Sequence, residues 1–214
     1  MTSRAEATKS QLCSAALAVV REQGLTAASA RTIATAAEVN QALIFYHFGS
    51  VSELIEAASN ALVEERVGLY RDAFASARSL SDLLAIARDV HEQERVAGSM
   101  TVMAQLMAGA PADPVLARAT RHAIAAWTTE VEQVLQRVLV PSPVGLLVDP
   151  AGLAQLVSAT FVGLELHHGA DPTAADQAFG TLERLSALLT ALDGLAPAGQ
   201  RALRLVIAQL SKRT

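Results

Sequence analysis

The chain has 214 residues, of which 51% are hydrophobic and 18% are charged, and its formal net charge is −4. This composition predicts a packed globular protein and excludes a disordered chain. The slightly negative charge also excludes a protein coated in basic surface. Any contact with nucleic acid must therefore come from a local patch of the molecule.

Cys13 is the only cysteine, so no disulfide can form within the chain, which fits a reducing cytoplasm. We expect Cys13 to be a small buried hydrophobic residue. No stretch of the sequence approaches the roughly 20 uninterrupted apolar residues that are needed to span a bilayer. The apolar run from Leu12 to Val20 continues into Arg21 without a small-residue cleavage site, so a signal peptide is not expected. We predict a soluble cytoplasmic protein without a membrane partner.

Apolar residues recur with helical spacing along the whole chain, and no convincing strand alternation is found. The first helix is predicted to end at Gly24, where a left-handed cap is expected. Two short helices follow, one over about 30–36 with Ser29 as its N-cap and one over about 41–47 behind Asn40. The predicted fold class is all-α.

A longer helix is predicted to begin at Ser50, which forms a capping box with Glu53, and to continue to about Phe74. Apolar stripes indicate six further helices, near residues 80–98, 100–107, 114–138, 150–166, 182–192 and 203–210. The Pro- and Gly-containing segments 141–148 and 169–173 are expected to be a loop and a break.

Residues 24–54 carry the strongest indication of function. A short helix, a tight turn and a second short helix packed on a long one form a helix-turn-helix, whose second helix can enter a major groove about 12 Å wide. Three of the eight aromatic residues of the chain fall within 45–48. The alternative is an ordinary corner of a helical bundle with these aromatic residues in its core.

Residues 24–48, GLTAASARTIATAAEVNQALIFYHF, closely resemble the DNA-binding domain of the TetR family of transcriptional regulators, and residues 50–54, SVSEL, continue the match. The later helices resemble the ligand-binding and dimerisation domain of that family in number and order. The resemblance implies a helix-turn-helix DNA-binding domain of three helices over 1–49. It also implies a larger helical ligand-binding and dimerisation domain over 50–214.

The resemblance places the DNA contacts on the two short helices. Gln41 and Tyr46 would meet bases, since glutamine can pair with adenine and tyrosine can lie against a thymine methyl group. The predicted DNA-binding residues are Arg31, Asn40, Gln41, Ala42, Leu43, Phe45, Tyr46 and His47. The positions expected to hold the small domain together are Ile33, Ala34, Ala37, Val39, Ile44 and Phe48.

Three positions depart from the usual residues of the family. Glu38 occupies a turn position where glycine is usual, Phe45 lacks a tyrosine hydroxyl that contacts phosphate, and Val51 replaces a lysine. Residues 1–50 contain four basic and three acidic side chains, which leaves a net charge of +1. We expect DNA binding that is weaker than usual for the family, or more dependent on base contacts, with a shallow dependence on salt.

The resemblance also implies a small-molecule pocket among the helices spanning 80–166, in a body with two conformations of different affinity for DNA. Glu165 interrupts a very apolar helix, so it requires either an interior partner or a place near solvent. The predicted ligand-binding residues, each of which could equally be ordinary core, are Met100, Met103, Met107, Trp127, Phe161 and Glu165.

We expect no metal site, no cofactor and no enzymatic activity. His91 and Glu92 match the first two positions of a zinc-protease motif, but Arg95 occupies the position of the required second histidine. His167 and His168 are adjacent, so on a helix they point in different directions. No G-x-S-x-G motif or phosphate-binding glycine loop is found.

Two apolar helices, around 150–168 and 173–193, are the best candidates for a homodimer interface, since two from each subunit would build a four-helix bundle. They could instead close the core of the monomer. We predict a homodimeric regulator, by default a repressor, that binds a near-palindromic double-stranded operator and is released by a small-molecule effector. The alternatives are a helical ligand-binding protein or an enzyme whose DNA-binding head is weak or lost.

Overall fold

The computed structural model describes residues 4–140, 148–168, 171, 173–193 and 199. These residues form helices and turns, with no strand among them, so the predicted all-α fold class is confirmed. The predicted helix near 203–210 and all but the last residue of the predicted loop at 141–148 lie outside the described residues. None of the described helices is long and apolar enough to cross a bilayer.

Nine α-helices and one short 3₁₀ turn at Leu25–Ala27 make up the described chain. The helices are α1 (Arg4–Gln23), α2 (Ala30–Ala36), α3 (Ala42–Phe48), α4 (Val51–Ser76), α5 (Leu80–Ala97), α6 (Ser99–Gly109), α7 (Pro114–Leu139), α8 (Pro150–His168) and α9 (Ala174–Asp193).

The side chains predicted to begin the early helices do so. The Ser29 hydroxyl accepts a hydrogen bond from a backbone N–H in the first turn of α2 at 3.1 Å, and Ser50 accepts one from Glu53 N–H at 3.1 Å. Asn40 Oδ1 accepts a hydrogen bond from Ala42 N–H at 2.8 Å. Helix α3 therefore begins one residue later than predicted.

Gly24 ends α1, but not in the conformation that the sequence predicts. Its φ is +84° and its ψ is 164°, so the expected left-handed cap is wrong and the chain leaves α1 in an extended direction. This region of backbone space is essentially restricted to glycine, because a side chain would clash. The N–H of Gly24 still bonds to the Val20 carbonyl at 3.1 Å.

The chain divides into two compact units, one formed by Met1–Gly68 with Glu94–Ala126 and one by Leu69–Gln93 with Trp127–Thr214. Helices α4, α5 and α7 each contribute residues to both units. The boundary that the resemblance places after residue 49 stays a prediction.

The core of the first unit joins the three N-terminal helices to residues from α4, α6 and α7. Ile33, Ile44 and Leu54 are fully buried, and Leu106 belongs to the same apolar cluster. Cys13 packs half-buried against this cluster, and burial raises the pKa of its thiol above the usual range. The expected role of Cys13 as a small packed side chain is therefore supported.

The core of the second unit is formed mainly by α4, α5 and α7. Phe74, Val134 and Leu135 are buried there, and Ala154 of α8 joins them. Ala154 is the only buried apolar residue among the described side chains of α8, the Glu165 side chain is also buried, and Leu156 of the same helix is 61% exposed. Part of the apolar surface of α8 is therefore left exposed in the part of the chain that the structure describes.

Candidate nucleic-acid interface

The helix-turn-helix is held by fully buried isoleucines, Ile33 on α2 and Ile44 on α3. Helix α3 has only seven residues, so burying Ile44 turns the opposite side of the helix outward. The six positions predicted to hold the domain together are confirmed as buried or half-buried: Ile33, Ala34, Ala37, Val39, Ile44 and Phe48.

The outward face of α3, the candidate recognition helix, carries four of the predicted DNA-binding residues. Tyr46 is 81% exposed and Phe45 is 52% exposed, and Gln41 and Ala42 are also exposed. Positions one helical turn apart share a surface. The alternative interpretation, in which the aromatic residues of 45–48 belong to the core of a helical bundle, is therefore wrong for Phe45 and Tyr46.

Leu43 and His47, also predicted to contact DNA, are half-buried. Leu43 packs against the apolar cluster of the first unit, so part of its side chain is used for packing. The ring of His47 is edge-on to Tyr46 at 4.8 Å between centroids and lies 6.4 Å from Phe48. These contacts support the exposed Tyr46 ring from one side.

The turn between α2 and α3 contains Glu38 with φ +52°, the only positive φ of a described residue other than glycine. The expectation that this turn has to do without glycine at a strained position is confirmed. An L-residue pays roughly 1–2 kcal/mol for this conformation. Gln11 Nε2 donates to the Ala37 carbonyl at 2.7 Å, and Val39 N–H donates to the Ala34 carbonyl at 3.0 Å, so the turn is fixed from both sides.

A shallow depression of about 350 Å³ lies beside this turn, lined by Arg31, Ala34, Thr35, Glu38, Val39, Asn40 and Gln41. Arg31 and Gln41 are both exposed and are therefore available to an incoming molecule. The Asn40 amide oxygen is engaged in capping α3, so Asn40 acts at least partly by positioning the helix.

Positive charge is scarce in this domain. Lys9 and Arg21 each pair with a nearby glutamate, at 3.2 and 3.8 Å. Arg31 forms no ion pair with any residue that the structure describes. No lysine or arginine occurs in the sequence between Arg31 and Arg66. The surface around α3 thus offers few cations for phosphate groups.

Directional contacts join the N-terminal helices to α6 and α7 within the first unit. Leu25 N–H donates to Gln105 Oε1 at 3.1 Å, and the Ser52 hydroxyl donates to Asp113 Oδ2 at 2.5 Å. The hydrogen bond from Ser52, and a second from Val115 N–H, hold the pKa of Asp113 below its usual range. These bonds fix the N-terminal helices against α6 and the first turn of α7.

The predicted ligand-binding residues fall in both units. Met100, Met103 and Met107 are half-buried on α6 in the first unit. In the second unit Trp127 and Phe161 are half-buried, and the side chain of Glu165 is buried. Trp127 packs against Tyr70 and Phe74, with centroids 5.7 and 6.4 Å apart. Their role in binding a ligand stays a prediction.

Glu165 has an interior partner that the sequence reasoning missed. Its carboxylate contacts Nδ1 of His91 on α5, and the two side chains are 3% and 9% exposed. The His91 ring lies 5.6 Å from the ring of Phe179 on α9, and the guanidinium of Arg88 lies 5.1 Å from that same ring. The sequence indicated His91 only as an incomplete metal motif, and among the described residues no group of three potential metal ligands occurs.

These features define an all-α protein with an N-terminal helix-turn-helix whose second helix, α3, has an exposed face. Residues 12–58 match the family described as bacterial regulatory proteins, tetR family. Over residues 12–58 the chain is therefore similar to TetR-family regulators, and the predicted resemblance to the TetR family of transcriptional regulators is confirmed. A comparison with curated proteins finds no match.

The whole fold is similar to solved structures of regulators. A putative TetR-family transcriptional regulator from Rhodococcus sp. is 21% identical, with a TM-score of 0.69 over 84% of this chain and 98% of that one. The fatty acid degradation regulator FadR from Bacillus halodurans is 16% identical, with a TM-score of 0.67 over 88% and 96%. The multidrug binding protein EbrR, complexed with imidazole, is 22% identical, with a TM-score of 0.60 over 83% and 94%.

Replacing Glu38 by glycine is expected to raise the free energy of unfolding by about 0.5–1 kcal/mol. Glycine removes roughly 1–2 kcal/mol of left-handed strain and costs about 0.5–1 kcal/mol in chain entropy. Urea unfolding measures the change. The control is Glu38→Ala, which removes the carboxylate but keeps the strain. If alanine stabilises as much as glycine, the backbone explanation is wrong.

Val51→Lys is expected to steepen the salt dependence of DNA affinity by about 0.9 in log–log slope for each bound subunit, because it restores one phosphate contact. Titrations of a fluorescent duplex at several salt concentrations measure the slope. Val51 packs half-buried against the core, so Val51→Gln serves as the control with a long uncharged side chain. If the two variants show the same salt dependence of DNA affinity, the loss of a positive charge at position 51 does not explain weak phosphate binding.

Proposed function

We propose that this protein is a homodimeric transcriptional repressor of the cytoplasm, which binds a near-palindromic operator and is released by a small molecule. The TetR-family fold supports a ligand-responsive regulator at the level of class. The repressor mode is the commonest one in the family that the chain resembles. No enzymatic step is part of this proposal.

The exposed face of α3 carries the proposal. The Tyr46 side chain is 81% exposed, so most of its aromatic ring lies in water, and it stands on a helix that is anchored by the buried Ile44. Gln41 and Ala42 lie on the same outward side. A major groove accepts one helix, and its base edges offer both hydrogen-bonding and apolar partners to such a face.

Gln41→Ala and Tyr46→Ala are each expected to abolish preference for a specific duplex while leaving folding and oligomeric state intact, because both side chains are exposed. Gel shifts against the DNA upstream of the protein's own coding sequence, with unrelated DNA as competitor, measure this preference. Gln133→Ala, which truncates an exposed glutamine on α7, is the control. Wild-type affinity in both α3 variants would show that the recognition helix is assigned wrongly.

Homodimerisation is supported by the apolar surface of α8 and α9, two helices that pack against each other. Several leucines on these helices are between 38% and 61% exposed: Leu156, Leu166, Leu182, Leu185 and Leu188. Monomeric proteins seldom expose a large apolar patch, so the exposure of these leucines supports an interface on α8 and α9. A two-fold dimer would place two recognition helices about one DNA turn, roughly 34–36 Å, or a multiple of it apart.

Leu185→Arg is expected to weaken the dimer by more than about a hundredfold, because a charge buried without a partner at an interface costs about 3 kcal/mol or more. Operator binding should be lost with it. Sedimentation measures the dimer directly. Leu69, which is 60% exposed on α4, supplies the matched control Leu69→Arg. If Leu185→Arg sediments as a dimer, the interface lies elsewhere.

Release by a small molecule requires that the effector bind one of two conformations more tightly than the other. Helix α4 supports such a response, since its first residues lie in the DNA-binding region and Tyr70 and Phe74 belong to the core of the second unit. The multidrug binding protein EbrR, which has a similar fold, is complexed with imidazole. We propose that the present protein likewise binds a small molecule. The candidate binding residues remain those on α6, α7 and α8 named above.

A further inference from the structure

We infer that α9 stays docked on the rest of its own chain only when a second copy covers it, so that dimerisation and the docking of α9 are a single step. The inference rests on the proposed function, since the second copy is the partner in the proposed homodimer. It adds that contacts inside one chain, which do not reach the partner, contribute to the affinity between the two chains.

The first observation is how few side chains of α9 are buried. The helix has 20 residues, but Phe179 and Ser186 are the only buried ones among its described side chains. An isolated helix of this length is only marginally stable in water, and helices in proteins are stabilised mainly by packing of an apolar face. One phenylalanine and one serine supply little of this packing, so the described contacts hold α9 weakly on its own chain.

The second observation is that α9 contacts α5 largely through polar groups. We call the residues that make these contacts the α5–α9 seam: Ser81, Arg88, Asp176, Phe179, Glu183 and Ser186. The Arg88 guanidinium donates to Glu183 at 2.9 Å and lies 5.1 Å from the centre of the Phe179 ring. The hydroxyl oxygens of Ser81 and Ser186 are 3.2 Å apart. Glu183 is 57% exposed, and ion pairs at this exposure stabilise a fold only slightly.

The third observation is that the apolar side of α9 faces away from its own chain. Leu185 and Leu188, which lie across the helix from the seam, are 51% and 57% exposed. A helix that is stabilised by its own chain has the opposite arrangement, with its apolar side inward and its polar side in water. Around a two-fold axis the same leucines of a second copy would meet this surface, and their burial would supply the stabilisation that the seam lacks.

The first experiment follows backbone amide exchange in the full-length protein, with sedimentation of the same samples. In Leu185→Arg, the variant expected to be monomeric, the amides of α9 should exchange within about tenfold of the rate of an unfolded chain. The part of α7 around the buried Val134 and Leu135 should stay protected. In the wild type and in the control Leu69→Arg, both dimeric, α9 and α7 should both be protected.

The second experiment measures how a contact inside one chain changes the affinity between chains. Arg88→Met removes the ion pairs of the seam and the contact with the Phe179 ring. If docking weakens about fivefold in each copy, the dimer dissociation constant should rise about 25-fold, because each dimer contains two seams. The matched control is Arg71→Met, which removes an exposed ion pair with Glu130 at 3.4 Å that joins α4 to α7. It should change the constant less than about twofold.

The outcomes separate a failure of the inference from a failure of the proposed dimer. If Leu185→Arg still sediments as a dimer, the proposed interface is wrong and the inference fails with it. If Leu185→Arg is monomeric and α9 stays as protected as α7, only the coupled docking of α9 is wrong. Loss of protection in α7 together with α9 would also contradict it, since α9 alone should be released. An effect of Arg88→Met no larger than that of Arg71→Met would contradict it as well.

Discussion

The candidate DNA-binding face of α3 depends on the burial of Ile44 in a helix of seven residues. A helix this short has room for one buried stripe, so the apolar cluster that takes Ile44, together with Ile33 of α2, determines which side chains of α3 face outward. The caps from Ser29 and Asn40 fix where the two short helices begin. The bond from Gln11 to the carbonyl before Glu38 holds the turn between them. If the Ile44 side chain left the cluster, α3 would turn and present other side chains to solvent. The caps and the hydrogen bond from Gln11 would not prevent this change.

Features that depend on neighbours in the chain were predictable from the sequence. The N-caps at Ser29 and Ser50 and the helix start at Pro114 are each determined by residues within four positions of one another. For this reason these helix starts could be predicted from the residues alone, whereas the strained turn at Glu38 and the position of Tyr46 were implied by the family resemblance. The conformation of Gly24 was mispredicted, because a positive φ is compatible with either ψ and the following 3₁₀ turn decides between them.

Features that depend on distant residues were not predictable in this way. His91 and Glu165 are separated by more than 70 positions, and nothing local to either residue indicates the other. Glu165 could be recognised as an acid that needs a partner, but the identity of that partner follows only from the packing of α5 with α8. The exposure of the leucines on α8 and α9 is a similar case, since a helix that is apolar all round has the same sequence pattern whether its own chain or a second copy covers it.

The scarcity of positive charge near α3 bears on how such a protein would behave among the many DNA sequences of a chromosome. Proteins bind DNA of random sequence almost entirely through its phosphate groups. A genome contains roughly a million or more such non-specific sites, which compete with a specific one. With no lysine or arginine between Arg31 and Arg66, such a protein would be held weakly by random sequences. A larger share of its copies would then be free in solution.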